Sequence, residues 1–198
     1  MCGIVGIIGK ENACEIILKG LERLEYRGYD SAGIYVANQE TGHLVKAPGQ
    51  LTNLAQKLTP EITGNIGIGH TRWATHGVPS EENAHPHLSQ GGRFVLVHNG
   101  VIENHLELQE TYLNGLALNG QTDTEIVVNV IETLSEKEHL SAFEAFKKAL
   151  EEINGSYAFA LIDTQDPTKL YIAKNKSPLL IGCGEDCYLV GSDAFAMI

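Results

Sequence analysis

Cys2-Gly3-Ile4-Val5-Gly6-Ile7-Ile8-Gly9 opens the chain behind a single Met1. Residues 3–9 are a short apolar run, rich in β-branched side chains and bounded by glycine, which reads as a buried strand at the very start of the fold. Asn12 with Glu15 resembles a capping box, and Ile16, Ile17, Gly20, Leu21 and Leu24 recur at helical spacing, which predicts a helix ending near Arg27. Residues 31–38 and 43–46 read as paired strands, because Glu40-Thr41-Gly42 between them carries turn chemistry. A weak helix over 50–58 and a glycine-rich strand over 65–69 follow. Residues 71–90 form a long polar stretch, the expected functional loop, before another strand over 93–98. Apolar stripes then predict helices over 103–113, 124–134 and 140–153, and strands over 157–163, 170–173, 179–181 and 188–190, with a last one from Ala194. Strands, then helices, then strands imply an α+β domain whose sheets are shielded by helices.

Composition agrees with one globular domain. The chain has 198 residues, 43% of them hydrophobic and 20% charged, with 6 prolines, enough to bury a sizeable core. Its 14 Lys and Arg against 25 Asp and Glu leave a net charge of −11, a field that repels nucleic acid and anionic membranes. Neither is expected as a partner. No apolar run reaches the roughly 18 residues of a membrane helix and no basic segment precedes the first strand, so a cytoplasmic protein is expected. The 4 cysteines, at positions 2, 14, 183 and 187, are too sparse for a disulfide scaffold and read as thiols.

Cys2 is the most informative residue for chemistry. Removal of Met1 is expected before so small a side chain, and it would leave a thiol and a free α-amine on one residue. An α-amine with a pKa of about 7.7–8.0 is roughly 10–17% neutral at pH 7, which makes it a far better base than lysine. The thiol is nucleophilic with little further help. The plain alternative is a small buried cysteine in a core strand.

Other segments pose similar choices. His70-Thr71-Arg72-Trp73-Ala74-Thr75-His76-Gly77 gathers a cation, hydroxyls, imidazoles and the only tryptophan. Arg72 offers a planar fork for a carboxylate and Trp73 an apolar lid over a small ligand, with Gly77 as a hinge; a solvated surface loop is the alternative. His98-Asn99-Gly100 after an apolar strand predicts a sharp turn, either an ordinary Asn-Gly turn or an amide and a backbone N–H paired as an oxyanion hole. Thr122-Asp123-Thr124-Glu125 reads as a helix cap with Glu125 reaching back, or as a helix start whose Asp123 faces an ammonium. The histidines around His85-Pro86-His87 lack a Cys-x2-Cys pair or a His-Glu-x-x-His helix, and Gly67-x-Gly69 and Gly182-x-Gly184 lack the rest of a phosphate loop. No metal and no cofactor are expected.

Taken in order, Cys2 to Gly6, Tyr26-Arg27-Gly28-Tyr29-Asp30-Ser31-Ala32-Gly33, His70 to Gly77, Asn83-Ala84-His85-Pro86-His87, His98-Asn99-Gly100 and Thr122 to Glu125 resemble the class II glutamine amidotransferase (glutaminase) domains of the glucosamine-6-phosphate synthases. Arg-Gly-Tyr-Asp-Ser and His-Thr-Arg-Trp-Ala-Thr-His favour that group over the related phosphoribosyl-pyrophosphate amidotransferases. The resemblance implies an N-terminal-nucleophile (Ntn) hydrolase fold, a four-layer αββα sandwich of two antiparallel sheets between helical layers. It implies that Cys2 attacks the side-chain amide of L-glutamine, with Asn99 and the Gly100 N–H holding the oxyanion. It further implies that Arg72 grips the α-carboxylate, Asp123 pairs with the α-ammonium, Thr75 and His76 complete the pocket, and Trp73 closes it.

Residues 2–198 would be that glutaminase domain, cut short at its C-terminus. The sugar isomerase half that binds fructose 6-phosphate has no counterpart here, and the family's glutaminase domain continues into further strands past Ser192 to Ile198, so an exposed apolar sheet edge is expected. A homodimer is among the assemblies open to the family. Two other readings compete with an ammonia-supplying enzyme: a non-catalytic binding or regulatory fragment, and an Ntn hydrolase acting on another amide.

Overall fold

The computed structural model describes residues 1–198. Strand β1 (Gly3–Ile8) leads into helix α1 (Ala13–Leu24) and a 3-10 turn (Glu25–Arg27), followed by β2 (Ser31–Ala37), β3 (Gly42–Pro48), α2 (Leu51–Lys57) and β4 (Ile66–Arg72). The second half runs β5 (His87–Leu88), β6 (Phe94–Ile102), α3 (His105–Tyr112), α4 (Asp123–Glu138), α5 (Ala142–Glu152), β7 (Gly155–Asp163), β8 (Leu170–Asn175), β9 (Leu180–Gly184) and β10 (Cys187–Gly191). All neighbouring strands are antiparallel, in one six-stranded sheet of order β3-β2-β4-β1-β10-β9 and one four-stranded sheet of order β5-β6-β7-β8.

Side-chain alternation turns these two sheets into four layers. In β1, Val5 and Ile7 pack with Ile17 and Leu21 of α1, while Ile4 points the other way, into the space between the sheets. In β6, Val95 and Val97 join Ile4, Ile66 and Ile68 in that inter-sheet core, while Phe94 and Leu96 face Val127 and Ile131 of α4. Three apolar cores therefore separate helices from sheet, sheet from sheet, and sheet from helices. This is the expected α+β sandwich, αββα in section. Strands such as β2 and β4, buried on both faces, read as near-continuous apolar runs for this reason.

Gly67 and Gly69, set aside above as a phosphate loop, have a packing role. A Cβ on Gly69 would lie 2.3 Å from Ile17 Cγ2 and one on Gly67 would lie 2.6 Å from Ile17 Cδ1, so both glycines let α1 rest directly on β4. No helix is long and apolar enough to cross a membrane.

Several expectations need correction. Asn12 makes no side-chain cap bond, so the predicted capping box at α1 is absent. His98-Asn99-Gly100 is not a turn, because β6 continues through it to Ile102 in register with β7, with Gly100 at φ +128° and its missing Cβ replaced by the Ser156 carbonyl. Cross-strand pairing overrides the local turn preference of Asn-Gly. The segment from Ala194 is a short 3-10 turn (Ala194–Met197) rather than a strand, its start capped by the Asp193 carboxylate accepting from the Phe195 N–H. Edge strand β9 exposes Ile181, and Tyr188 of the neighbouring β10 is exposed as well, each about 60%.

Candidate active site

Each of three strands ends the inter-sheet apolar row with a polar residue. Cys2 lies two residues before Ile4, His70 two after Ile68, and Asn99 two after Val97, so strand periodicity sends all three into the same layer at one end of the sandwich. Pairing of Gly3 with Thr71 and of Ile4 with His70 then carries Cys2 beside the segment that leaves β4.

The Cys2 thiol sits against the Trp73 backbone, where the Trp73 N–H donates to Sγ at 3.2 Å and the Trp73 carbonyl oxygen is 3.5 Å away. Burial pushes the thiol above its ordinary pKa, against the lowering pull of the Trp73 N–H, the terminal ammonium and the Arg72 guanidinium. That ammonium belongs to Met1, which donates to the Arg27 carbonyl at 3.2 Å and the Gly28 carbonyl at 3.4 Å. The Asn99 amide nitrogen donates to the Cys2 carbonyl oxygen at 3.2 Å.

A cavity of about 20 Å³ is lined by Cys2, Arg72, Trp73, Thr75, His76, Gly100 and Asp123 among others, and it holds little more than a water molecule. Asn99, Gly100 and Cys2 also line a second cavity of about 310 Å³ reaching Met1, Arg27 and Pro178. All eight residues singled out in the sequence thus meet at one place. Two larger hollows, the bigger about 490 Å³ and lined by Lys46, Glu82 and Gln90 among others, include none of these eight residues.

Local geometry refines individual expectations. The Arg72 guanidinium is buried and turned inward: it donates to the carbonyls of His76, Gly77 (3.2 Å) and Val78 (3.3 Å), so its own loop supplies the oxygens. Asp30, which sequence reasoning did not single out, fastens the same loop by accepting from the Ala74 N–H, with a carboxylate oxygen 3.9 Å from Arg72. Trp73 is 53% exposed and rests on Gly28, where a Cβ would lie 3.0 Å from the indole. Thr75 Oγ1 lies 3.4 Å from His76 Nδ1, and the His76 ring meets that of His105 edge-on.

Asp123 occupies the first turn of α4, where its carboxylate accepts from the Ile102 N–H at 2.9 Å. Thr122 caps this helix by accepting from the Glu125 N–H at 3.1 Å, as expected. Glu125 does not reach back to Thr122. Its two oxygens accept instead from the Asn119 and Gly120 N–H groups, at 2.7 and 2.8 Å.

Behind the site lies a buried group of imidazoles. His70 stacks on His85 with ring centres 4.1 Å apart, and His87 meets His85 at 4.8 Å. Burial drives the His70 pKa down to about 3 and holds those of His85 and His87 well below the ordinary histidine value, so all three are neutral. Extending the apolar alternation of β4 by one step past Ile68 was the signal that would have placed His70 here.

Comparison with known proteins bears on this constellation. Residues 70–198 match the family model described as a glutamine amidotransferase domain. The whole chain is 63% identical over 198 residues to a glutamine–fructose-6-phosphate aminotransferase (isomerizing) of Streptococcus pneumoniae, and 60% identical over 199 residues to the one of Lactococcus lactis. It covers 33% of each, so it spans about a third of the length of these curated relatives. Among solved structures, the glutamine phosphoribosylpyrophosphate amidotransferase of B. subtilis, complexed with ADP and GMP, superposes with a TM-score of 0.86 at 30% identity, over 99% of this chain and 43% of that one. The neighbours share the Ntn amidotransferase fold, and the chain belongs to the glutamine amidotransferase domain family.

Proposed function

We propose that residues 2–198 form the glutaminase domain of a longer glutamine–fructose-6-phosphate aminotransferase and hydrolyse the side-chain amide of L-glutamine to glutamate and ammonia. The observation that carries this is that Cys2, whose carbonyl accepts from the Asn99 amide, shares the cavities at one end of the inter-sheet layer with Asn99, Gly100, Arg72 and Asp123.

The chemistry begins once Met1 is gone, because only then is the Cys2 nitrogen an amine rather than an amide. That amine takes the thiol proton as sulfur bonds to the amide carbon. The resulting oxyanion is held by Asn99 Nδ2 and the Gly100 N–H. The proton then passes to the leaving nitrogen, the C–N bond breaks, and ammonia departs from a thioester that water cleaves to glutamate. The Arg72 fork and the Asp123 carboxylate suit the α-carboxylate and α-ammonium of the substrate, with Thr75 and His76 lining the pocket. The cavity is too small for an amino acid, so entry requires residues 73–78 to swing outward. The His76, Gly77 and Val78 carbonyls would then exchange for substrate oxygens at Arg72, and Trp73 would close over the bound molecule.

In the longer protein the ammonia would reach a sugar isomerase half that binds fructose 6-phosphate and forms glucosamine 6-phosphate, in a homodimer. A binding-only role is not favoured, since the relatives are named as aminotransferases. The test is glutamate release by the full chain after intact-mass measurement shows that Met1 is absent. Cys2→Ala is expected to abolish it. Release at the parental rate in that variant would refute the mechanism.

A further inference from the structure

His70 of β4 and Asn99 of β6 face each other across the inter-sheet layer. His70 is fully buried, and its Nε2 lies 2.9 Å from two oxygens, the His98 carbonyl and Asn99 Oδ1. Its Nδ1 is buried without a partner. A backbone carbonyl can only accept, so the proton of this ring must sit on Nε2; a lone pair there would face the lone pairs of the His98 carbonyl. Because burial keeps the imidazole neutral, there is one ring proton to place.

That proton settles the Asn99 amide. An N–H at Nε2 requires the Asn99 oxygen on the His70 side, which leaves Nδ2 pointing the opposite way, 3.2 Å from the Cys2 carbonyl oxygen. His85 secures the frame: its Nδ1 accepts from the His98 N–H at 3.3 Å while its ring stacks on His70 at an interplanar angle of 11°. Both peptide groups of His98 are thereby held by neutral imidazoles. His70 itself does not line either cavity at the site.

We infer that His70 is a positioning residue, whose Nε2–H locks the Asn99 amide in the one orientation that turns its N–H donors towards the Cys2 site. This rests on reading Asn99 as an oxyanion donor. Without His70, the amide can turn over to give the His98 carbonyl a donor, and its oxygen would then face the oxyanion it is meant to hold.

The test compares glutamine hydrolysis by the Met1-free full chain with that of N99A, H70F, H70Q and the H70F/N99A double variant. N99A is expected to lower kcat by roughly 10²–10³-fold. H70F should lower kcat on the order of 10-fold with the KM for glutamine nearly unchanged. The double variant should be no slower than N99A alone, because His70 acts only through that amide. H70Q, whose amide nitrogen can donate from a similar place, should recover most of the rate. A slow N99A beside an H70F at parental kcat overturns the positioning role, as do losses that add in the double variant. An N99A at parental rate instead removes Asn99 from the oxyanion hole, and this inference with it. Nitrogen–proton correlation spectra of the parent chain give a reading independent of folding in the variants: the His70 proton is expected on Nε2, and finding it on Nδ1 refutes the proposal.

Discussion

Helices α4 and α5 start from the same pattern, a hydroxyl residue followed three positions later by glutamate, and use it differently. At α5 the pattern closes on itself: Ser141 Oγ accepts from the Glu144 N–H, and the Glu144 carboxylate accepts from the Ser141 N–H and hydroxyl. Ser141 and Glu144 are exposed, and these contacts hold the Glu144 carboxyl below its ordinary pKa. At α4 only half of it closes. Thr122 accepts from the Glu125 N–H and also meets His87 Nε2 at 2.9 Å, Thr124 meets His98 Nδ1 at 2.9 Å, and Glu125 is drawn away to the loop before the helix. A capping box is a local device that satisfies its own donors. Once the same residues are buried, neighbouring donors and acceptors compete for them, and the helix start becomes part of a wall of the site.

The largest effect expected to separate the two helices is on substrate. Asp123→Ala should raise the KM for glutamine roughly 10–100-fold through loss of a charge-assisted contact, whereas Glu144→Gln should leave both kcat and KM at parental values. Steady-state glutaminase kinetics decide this, and an effect on KM from the α5 variant would erase the functional contrast. Next in size, Glu125→Gln replaces a buried carboxylate that serves two backbone N–H groups and should cost about 2 kcal/mol in urea unfolding.

Acid should distinguish the helices as well. Unfolded histidine protonates near 6.5, whereas burial holds His87 neutral in the folded chain and lowers the His98 pKa. The unfolded state therefore binds more protons, and stability falls as pH drops below about 6.5, by about 1.4 kcal/mol per pH unit for each histidine so held. Glu144 loses its contribution in the same direction but at lower pH: with its folded pKa lowered, that contribution is complete above the ordinary glutamate range and fades only as pH falls through and below it. Amide hydrogen exchange at pH 5.5 should consequently rise in the first turn of α4 before it rises in α5; the reverse order would contradict the burial argument. The smallest effect is expected from Ser141→Ala, about 1 kcal/mol of stability by urea unfolding with no change in glutamine turnover.

Much of this was legible beforehand. The apolar, β-branched run over residues 3–9, the glycine-rich strand over 65–69 and the apolar stripes of α4 and α5 are properties of consecutive residues, and they marked these elements. Chemistry at Cys2, Arg72, Asn99, Gly100 and Asp123 was readable as residue types in a familiar order. The misreadings share a cause. Asn99-Gly100 has the local signature of a turn, yet pairing with Ala158 and Tyr157, nearly sixty residues away, keeps it extended. Glu125 has the signature of a box, yet two nearby N–H groups claim it. Gly67 and Gly69 were rightly set aside as a phosphate loop, but their packing role was not readable, because Ile17 on another element gives the reason for them.

By itself the amino-acid order determined most of the strands and helices, the apolar stripes of α4 and α5, and which side chains are able to attack, donate or carry charge, because each of these depends on residues a few positions apart. Only the tertiary structure decided that the polar ends of β1, β4 and β6 share one layer, that Arg72 turns its donors to its own loop, and that His70 reaches Asn99. Those outcomes depend on distances between residues far apart in the chain, set by strand register and by how closely two sheets and their helices pack.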